Sequence, residues 1–135
     1  MNEHSYVDSL KGKLKRQVSL IWKIKDDYQG GVPDIFIEGS QSDAFIEAKY
    51  IKSLPKREKT LIDLTNSKYL SPLQQKWLKR RFQTRGDAFV IVGHPGGTAL
   101  FRGLEWQTPL TREEFEKKTV PTKEAVQILL KFVNG

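Results

Sequence analysis

Two short apolar segments joined by a polar one constrain the fold of this chain more than any other feature. Residues 32–38 read Val-Pro-Asp-Ile-Phe-Ile-Glu, and residues 44–50 read Ala-Phe-Ile-Glu-Ala-Lys-Tyr. Both segments are rich in the β-branched and aromatic residues that favour strands. Residues 39–43 between them, Gly-Ser-Gln-Ser-Asp, are typical of a turn. The pattern predicts a β hairpin, with Pro33 at a strand start that tolerates a missing N–H.

The register of this hairpin decides which side chains meet. A four-residue loop over residues 39–42 would place Asp34 directly opposite Glu47. Opposed residues of an antiparallel pair have Cβ atoms about 4.5–5.5 Å apart. Two carboxylates at that separation repel each other unless a cation lies between them or one is protonated. The same register predicts these pairs in order along the hairpin: Glu38 with Asp43, Phe36 with Phe45, and Asp34 with Glu47.

Lys49 joins the two carboxylates on one face of the predicted sheet. It follows Glu47 by two residues, and alternate residues of a strand share a face. Asp34, Glu47 and the carbonyl of Ala48, completed by water, would suit Mg²⁺, which prefers oxygen ligands in octahedral geometry. Lys49 would orient an attacking water or offset developing charge, so the group has the parts needed for phosphodiester hydrolysis. The opposite face would carry Ile46, Ala48 and Tyr50.

Hydrophobic periodicity over the whole chain predicts the element order α-β-β-β-α-β-β-α-α. Hairpins and a helical crossover both occur, which indicates an α/β sandwich around a mixed sheet. The first helix covers about residues 3–17, and Glu3 continues its apolar stripe, so we expect Glu3 on the core side. That stripe consists of Val7, Leu10, Leu14 and Val18. A strand follows, in which Leu20, Trp22 and Ile24 alternate with the intervening residues. A polar turn then runs from Asp26 to Gly31.

The segment after the hairpin, residues 51–69, is polar and basic, and we interpret it as either a mobile substrate-facing loop or a solvated linker. Ser71 and Pro72 begin a helix that runs to about Thr84 and stops at Gly86. Its apolar face is Leu73, Trp77, Leu78 and Phe82. Then come a buried central strand at 88–92, a turn at 93–97 and an edge strand at 98–101. Two helices are predicted at the end of the chain. The first begins with a capping box over Thr111–Glu114, and the second begins at Pro121 and Thr122. The buried stripe of the second helix is Val126, Leu129, Leu130 and Val133.

Composition excludes several classes of site. The 135 residues include no cysteine, which rules out a thiolate nucleophile, a cysteine-ligated zinc and a disulfide framework. The formal charge of +7, from 23 basic and 16 acidic residues, is typical of nucleic-acid binders. No apolar run is long enough to span a membrane, and no signal peptide is recognisable. We therefore expect one soluble cytoplasmic domain, with a core over about 3–101 and a helical extension over about 109–135.

The motif formed by these residues is similar to that of a known enzyme family. Gly31-Val32-Pro33-Asp34, twelve further residues, and then Glu47-Ala48-Lys49 resemble the PD-(D/E)XK nuclease motif. The resemblance implies a restriction-endonuclease-like α-β-β-β-α-β core. It also implies that Asp34 and Glu47 bind Mg²⁺ or Mn²⁺ and that Lys49 assists catalysis. The resemblance covers about residues 3–92, and the last forty or so residues match nothing in it.

Two further segments extend this resemblance. Members of the family often have a glutamate on the first helix that completes the metal site, and Glu3 stands at that place, with Asp8 as the alternative carboxylate. Small phage and bacterial members, including VRR-NUC-like enzymes, often begin a later helix with Pro-x-Gln. Pro72-Leu73-Gln74 is similar to that segment, which implies a supporting role for Gln74.

The function implied is a Mg²⁺-dependent endonuclease acting on DNA, in a bacterial cell or a phage-infected host. Holliday-junction resolvases of this fold cut branched DNA as symmetric dimers, so a homodimer on a four-way junction is one expectation. A nicking or single-strand-directed nuclease fits the motif equally, and RNA is not excluded as substrate. The alternatives are a non-catalytic nucleic-acid-binding domain that keeps the nuclease fold, and a structural protein in which the motif occurs by chance.

The basic residues of the long connection and of the helix after it are the predicted phosphate contacts. They are Lys52, Lys56, Arg57, Lys59, Lys76, Lys79, Arg80 and Arg81, with Arg85 at the helix end. Among the aromatic residues, Trp22 and Trp77 are expected in the core, and Trp106 is the best candidate for exposure. We expect His94 to be a turn residue and His4 to have no role.

Overall fold

The described residues form one mixed sheet of six strands with helices on both faces. The computed structural model describes residues 1–24 and 30–135 of the chain. The helices are α1 (Glu3–Leu14), α2 (Pro72–Thr84), α3 (Arg112–Lys117) and α4 (Thr122–Asn134), with a short 3-10 helix at Glu105–Gln107. The strands are β1 (Leu20–Lys23), β2 (Ile35–Glu38), β3 (Asp43–Tyr50), β4 (Ala88–His94), β5 (Gly97–Arg102) and β6 (Thr119–Val120). They lie in sequence order across the sheet, with β3 and β4 parallel and the other neighbours antiparallel.

The two faces of the sheet carry separate hydrophobic cores. The first core packs α1 and α4 against the sheet. Its fully buried members include Leu10, Leu14, Ile35, Ile37, Ile46 and Leu129. The second core lies on the other face, under α2, α3 and the connection between β3 and α2. Its members include Leu64, Leu70, Leu78, Val90, Trp106 and Phe115. Because alternate residues of β3 point to opposite cores, Ile46 and Ala48 lie in the first and Glu47 faces the second.

The predicted hairpin is confirmed, including its register. Glu38 pairs with Asp43 and Phe36 pairs with Phe45 across β2 and β3. Continued beyond the Ile35–Ile46 pair, this register places Asp34 opposite Glu47. The strand β2 starts at Ile35 rather than at residue 32, so Asp34 occupies a bend directly before it.

Several predicted boundaries differ from the structure. The first helix ends at Leu14, three residues earlier than predicted, and residues 15–17 form a turn. The predicted turn at 93–97 narrows to Pro95 and Gly96, because β4 and β5 stay paired up to His94 and Gly97. The strand β5 is not at the edge of the sheet, because the short strand β6 pairs with it. The predicted turn from Asp26 to Gly31 lies outside the described residues except for its two glycines.

The apolar face predicted for α2 is buried only in part. Leu78 is buried and Trp77 half-buried, whereas Leu73 and Phe82 are 54% and 47% exposed. The helix presents only a narrow stripe to the sheet, so residues to either side of Leu78 stay at the surface. Gln75, next to the buried stripe of α2, faces inward. Its Nε2 donates to the carbonyls of Thr65 (2.7 Å) and Leu70 (2.9 Å).

The connection between β3 and α2 is held to the protein over its second half, from Ile62 to Leu70. Ile62 and Leu110 exchange two backbone hydrogen bonds, at 2.7 and 3.0 Å, and Leu64 and Leu70 are buried. It is therefore an anchored loop rather than a solvated linker. Within residues 1–24 and 30–135, no helix has both the length and the apolar character needed to cross a membrane.

The C-terminal residues complete both layers. Phe115 of α3 lies in the second core, and α4 covers the first. The end of α4 also holds the hairpin turn, because the amides of Gln41 and Ser42 donate to the carbonyl of Val133 at 2.8 and 2.9 Å. Asn134 accepts from the amide of Ser40 at 3.1 Å. The part of the chain that matched no motif thus supports the strands that carry Asp34 and Glu47.

Candidate active site

Glu47 is the buried centre of the site. Its side chain is 1% exposed and faces the second core from the middle of β3. One oxygen, Oε2, lies 3.3 Å from the Lys49 ammonium and accepts a hydrogen bond of 3.1 Å from Gln74 Nε2. The other oxygen, Oε1, is buried and has no hydrogen-bond partner among the residues that the structure describes. A buried carboxylate oxygen without a partner is costly, which points to a ligand that would complete the site.

Gln74 joins this carboxylate to the start of α2. Ser71 is the N-cap of the helix, and its hydroxyl accepts from the Gln74 amide at 3.2 Å. In return, Gln74 Oε1 accepts from the Ser71 amide at 2.9 Å, which completes a capping box. The amide nitrogen of the same side chain is left to donate to Glu47. A glutamate could complete the capping box but could not donate, so the position requires glutamine for both contacts.

Asp34 reaches β3 from the bend before β2. Its Oδ2 accepts from the backbone amide of Ala48 at 3.3 Å, so the carboxylate lies beside Glu47. The preceding Gly31, at φ +82°, packs against the first turn of α2, where an added Cβ would lie 2.5 Å from the carbonyl oxygen of Leu73. Only glycine permits both this conformation and this approach. The loop that delivers Asp34 is therefore held against the helix that delivers Gln74.

The electrostatics of Glu47 are those of a buried acid next to another acid. Burial and the neighbouring Asp34 raise the pKa of Glu47 to about 8, although the Lys49 ammonium acts to lower it. At neutral pH, without a cation, this carboxyl therefore carries a proton for most of the time. A divalent cation would favour the ionised form, so its binding would release a proton.

The donor set fits a hard divalent cation. The Asp34 carboxylate and the unpartnered Glu47 oxygen supply the oxygen ligands that Mg²⁺ and Mn²⁺ prefer. Among the described residues, no group of three or more His, Asp or Glu side chains could hold a metal ion. A cation here would therefore have two side-chain ligands, with water and main-chain oxygen as the others. The carbonyl of Ala48 stays a predicted ligand.

Neither helix carboxylate joins this pair. Glu3 is exposed in the first turn of α1, so the expectation that it faces the core is wrong. Burial along α1 begins only at Tyr6, and residues 1–5 are all exposed. Asp8 is also exposed and pairs with His4 at 3.2 Å. The role predicted for Glu3 or Asp8 at the metal has no support in this arrangement.

The predicted phosphate contacts of α2 lie on its outer face, with one exception. Lys76, Lys79 and Arg80 are exposed and line a groove of about 480 Å³. Arg81 instead forms a two-pronged ion pair with Asp87, at 2.8 and 3.1 Å. That pair occupies its guanidinium, so the structure gives Arg81 a role in holding α2 to the start of β4.

The basic residues of the β3–α2 loop are all exposed. Lys52 and Lys56 line a cavity of about 640 Å³ together with Arg112 and His94. Arg112, which the sequence did not single out, donates to the carbonyl of Pro55 at 3.4 Å. His94 is buried at the end of β4, where its ring nitrogens bond the Thr119 hydroxyl (2.9 Å) and the Gly96 amide (3.2 Å). The Gly96 contact closes the β4–β5 turn, and the Thr119 contact joins β4 to β6. The prediction of a turn residue is therefore wrong, because His94 is the last residue of β4. Arg57 and Lys59 lie further along the loop.

Two of the three tryptophans contradict the prediction from sequence. Trp22 is 58% exposed, because β1 is the outermost strand and no described element covers its α2-side face. Its neighbour Ile21 is the residue that packs on the first core. Trp106 is fully buried, because the 3-10 helix turns it into the second core. Trp77 is half-buried, at a ring-centroid distance of 4.9 Å from Phe45.

A solved structure has the same architecture. The chain is similar to Hjc, a Holliday junction resolvase from the archaeal hyperthermophile Archaeoglobus fulgidus, with a TM-score of 0.57. The match covers 93% of this chain and 98% of that one, at 15% sequence identity. The chain has the resolvase fold. The fold predicted from the PD-(D/E)XK resemblance is therefore confirmed. No family model and no curated protein matches the sequence.

Proposed function

We propose that this protein is a divalent-metal-dependent nuclease that hydrolyses phosphodiester bonds in DNA. The observation that carries the proposal is Glu47. A buried carboxyl, one of whose oxygens has no partner within the part of the chain that the structure describes, lies beside Asp34 and Lys49 in a chain with the resolvase fold. A core residue kept only for stability would not combine burial, a neighbouring carboxylate and an unpartnered oxygen.

Asp34 and Glu47 would hold the cation, which is Mg²⁺ or Mn²⁺ by the chemistry of its ligands. When bound, such a cation polarises the phosphate and acidifies a water molecule. The chain's own residues prepare the site for it. Gln74 and Lys49 both bind Glu47 Oε2, which fixes the carboxylate and leaves Oε1 to the cation.

Lys49 has a second task in this proposal. Its side chain is 18% exposed, so it is reachable from solvent while its ammonium stays next to Glu47. It would donate to the attacking water and to the phosphate oxygens, and so offset the negative charge that grows as the bond breaks. The exposed cations of α2 and of the β3–α2 loop would contact neighbouring phosphates. Resolution of a four-way junction requires two opposed cuts, so we further propose a homodimer as the active form.

Cleavage assays test this proposal directly. Labelled four-way junction, linear duplex, single-stranded DNA and RNA would be incubated with Mg²⁺, with Mn²⁺ and with EDTA. We expect cleavage of a DNA substrate with metal only, and its loss in Asp34→Asn, Glu47→Gln and Lys49→Met. The matched control is Glu38→Gln, an exposed carboxylate on the same face of the same hairpin, which should keep full activity.

The assays also separate the alternatives. Normal cleavage by the three site variants would refute the assigned residues. Metal-independent binding of DNA with no cleavage of any substrate would identify a non-catalytic binding domain instead. Light scattering with and without the junction measures whether the active species has the mass of a dimer.

A further inference from the structure

Four aromatic side chains form a row on the sheet face that carries Glu47. Trp22 pairs with Phe36 across β1 and β2, and Phe36 pairs with Phe45 across β2 and β3. The ring centroids of Phe36 and Phe45 are 5.0 Å apart, and those of Phe45 and Trp77 are 4.9 Å apart. The row therefore runs from the outermost strand to the side of α2.

This aromatic row lies next to the candidate metal site. Asp34 precedes Phe36 by two residues, so it follows the same face, and it is the diagonal neighbour of Trp22. Diagonal neighbours of an antiparallel pair are about 7–8 Å apart. The amide of Ile24 donates to the carbonyl of Asp34 at 2.7 Å, so β1 stays beside this segment. A flat group on Trp22 would thus be adjacent to a phosphate bound through the cation proposed at Asp34.

The two ends of the aromatic row differ in a way that suits a nucleic-acid strand. At the outer end, Trp22 is 58% exposed, so much of its side chain is left uncovered by the residues that the structure describes. At the inner end, the guanidinium of Arg80 lies 5.5 Å from the Trp77 ring and belongs to the groove lined by Lys76 and Lys79. Aromatic rings beside a basic groove are the combination by which proteins bind single strands, with bases on the rings and phosphates on the cations.

We propose that Trp22 is a stacking platform for an unpaired base next to the scissile phosphate. The proposal rests on the nuclease function above and deepens it, because it assigns the substrate class. A base inside a duplex has both faces covered by its neighbours, so only a frayed, branched or single-stranded site can place a base on Trp22. The substrate is then a nucleic acid with unpaired nucleotides at the point of cleavage.

Binding of a fluorescent oligothymidylate in EDTA tests the platform without any need for catalysis. Trp22→Ala should weaken binding roughly 5- to 150-fold, which is the range for loss of one base–aromatic stack. Trp22→Phe keeps a ring and should retain most of the affinity. Leu20→Ala is the matched control, because Leu20 is 48% exposed on the same face of the same strand but has no ring. A fully paired duplex of equal length should bind all four proteins with similar affinity.

Three results would overturn the platform. One is unchanged binding by Trp22→Ala, and another is an equal loss with Leu20→Ala, which would indicate general apolar contact. The third is a change in molecular mass on Trp22→Ala, since β1 would then be an interface between copies of the chain. The nuclease proposal fails separately, when the Asp34 and Glu47 variants still cleave. If the nuclease proposal failed in this way, a loss of binding by Trp22→Ala in EDTA would still support the stacking platform.

Discussion

Replacement of Glu47 by glutamine should stabilise the metal-free protein at neutral and alkaline pH. The pKa of Glu47 is raised from 4.5 to about 8 by burial and by Asp34. Between these two values the folded protein keeps a proton that the unfolded chain has lost. Its stability therefore falls as the pH rises through this window. A glutamine amide does not titrate, so it removes this contribution to the pH dependence of stability.

The magnitude follows from the same two pKa values. At about 1.36 kcal/mol per pH unit, full ionisation of Glu47 above pH 8 costs the fold about 5 kcal/mol. At pH 7 the cost is about 3 kcal/mol, because the difference then runs only from 4.5 to 7. The glutamine amide has the size of the carboxyl, and its oxygen can still accept from Gln74 and Lys49. Its NH₂ group can donate towards Asp34.

Urea unfolding in EDTA at pH 5, 7 and 9 measures the effect. We expect Glu47→Gln to be near wild type at pH 5, more stable by about 3 kcal/mol at pH 7, and more stable still at pH 9. The exposed control Glu38→Gln should stay within about 0.5 kcal/mol of wild type throughout. Mg²⁺ should stabilise the wild type and not the variant. A difference that does not grow with pH, or a variant less stable than wild type at pH 9, would refute the reasoning.

Three further substitutions test the surroundings of the site. Gly31→Ala should destabilise the fold by about 2 kcal/mol or more, measured by urea unfolding, because its φ is +82° and the new Cβ would clash with Leu73. Gln74→Glu should keep the helix cap, and hence the stability at pH 5. It should lose cleavage, because it replaces the side chain that donates to the Glu47 carboxyl. Intact cleavage would count against that role of Gln74. Asp87→Asn should cost about 1–3 kcal/mol at pH 7. Burial acts to raise the pKa of Asp87, but the Arg81 guanidinium outweighs it and holds that pKa below its ordinary value of 3.8. In unfolding measurements the loss should therefore begin to shrink only below about pH 4, and it should disappear only below the lowered pKa.

The hairpin could be predicted in detail because local chemistry determines it. The polar stretch between two strand segments fixes the loop length, and the side-chain period of two then fixes every opposed pair. The meeting of Asp34 and Glu47 follows from those two facts alone. Gln74 was predicted from the family resemblance, but its double contact required the relative position of α2 and β3.

The wrong predictions from sequence concern which face of an element is covered by another element. Hydrophobic periodicity carries no information on that. Alternation correctly separates Ile21 from Trp22, but it cannot tell which of the two meets a helix. Trp106 lies in a polar segment and is nevertheless buried, because three residues of 3-10 helix are enough to turn it inward. The two-residue strand β6 has no periodicity at all, so β5 was expected at the edge.

The capping box of α2 has a consequence for regulation of the site. One side chain, Gln74, bonds the Glu47 carboxyl on one side and the N-cap of the helix on the other. The same helix carries the groove of Lys76, Lys79 and Arg80. A cation bound at Glu47, as proposed, would therefore act on the helix that carries the proposed phosphate contacts. Thermodynamic reciprocity then requires that the nucleic acid alter the affinity for the cation by the same factor. Metal and substrate would bind this protein as a coupled pair rather than as independent ligands.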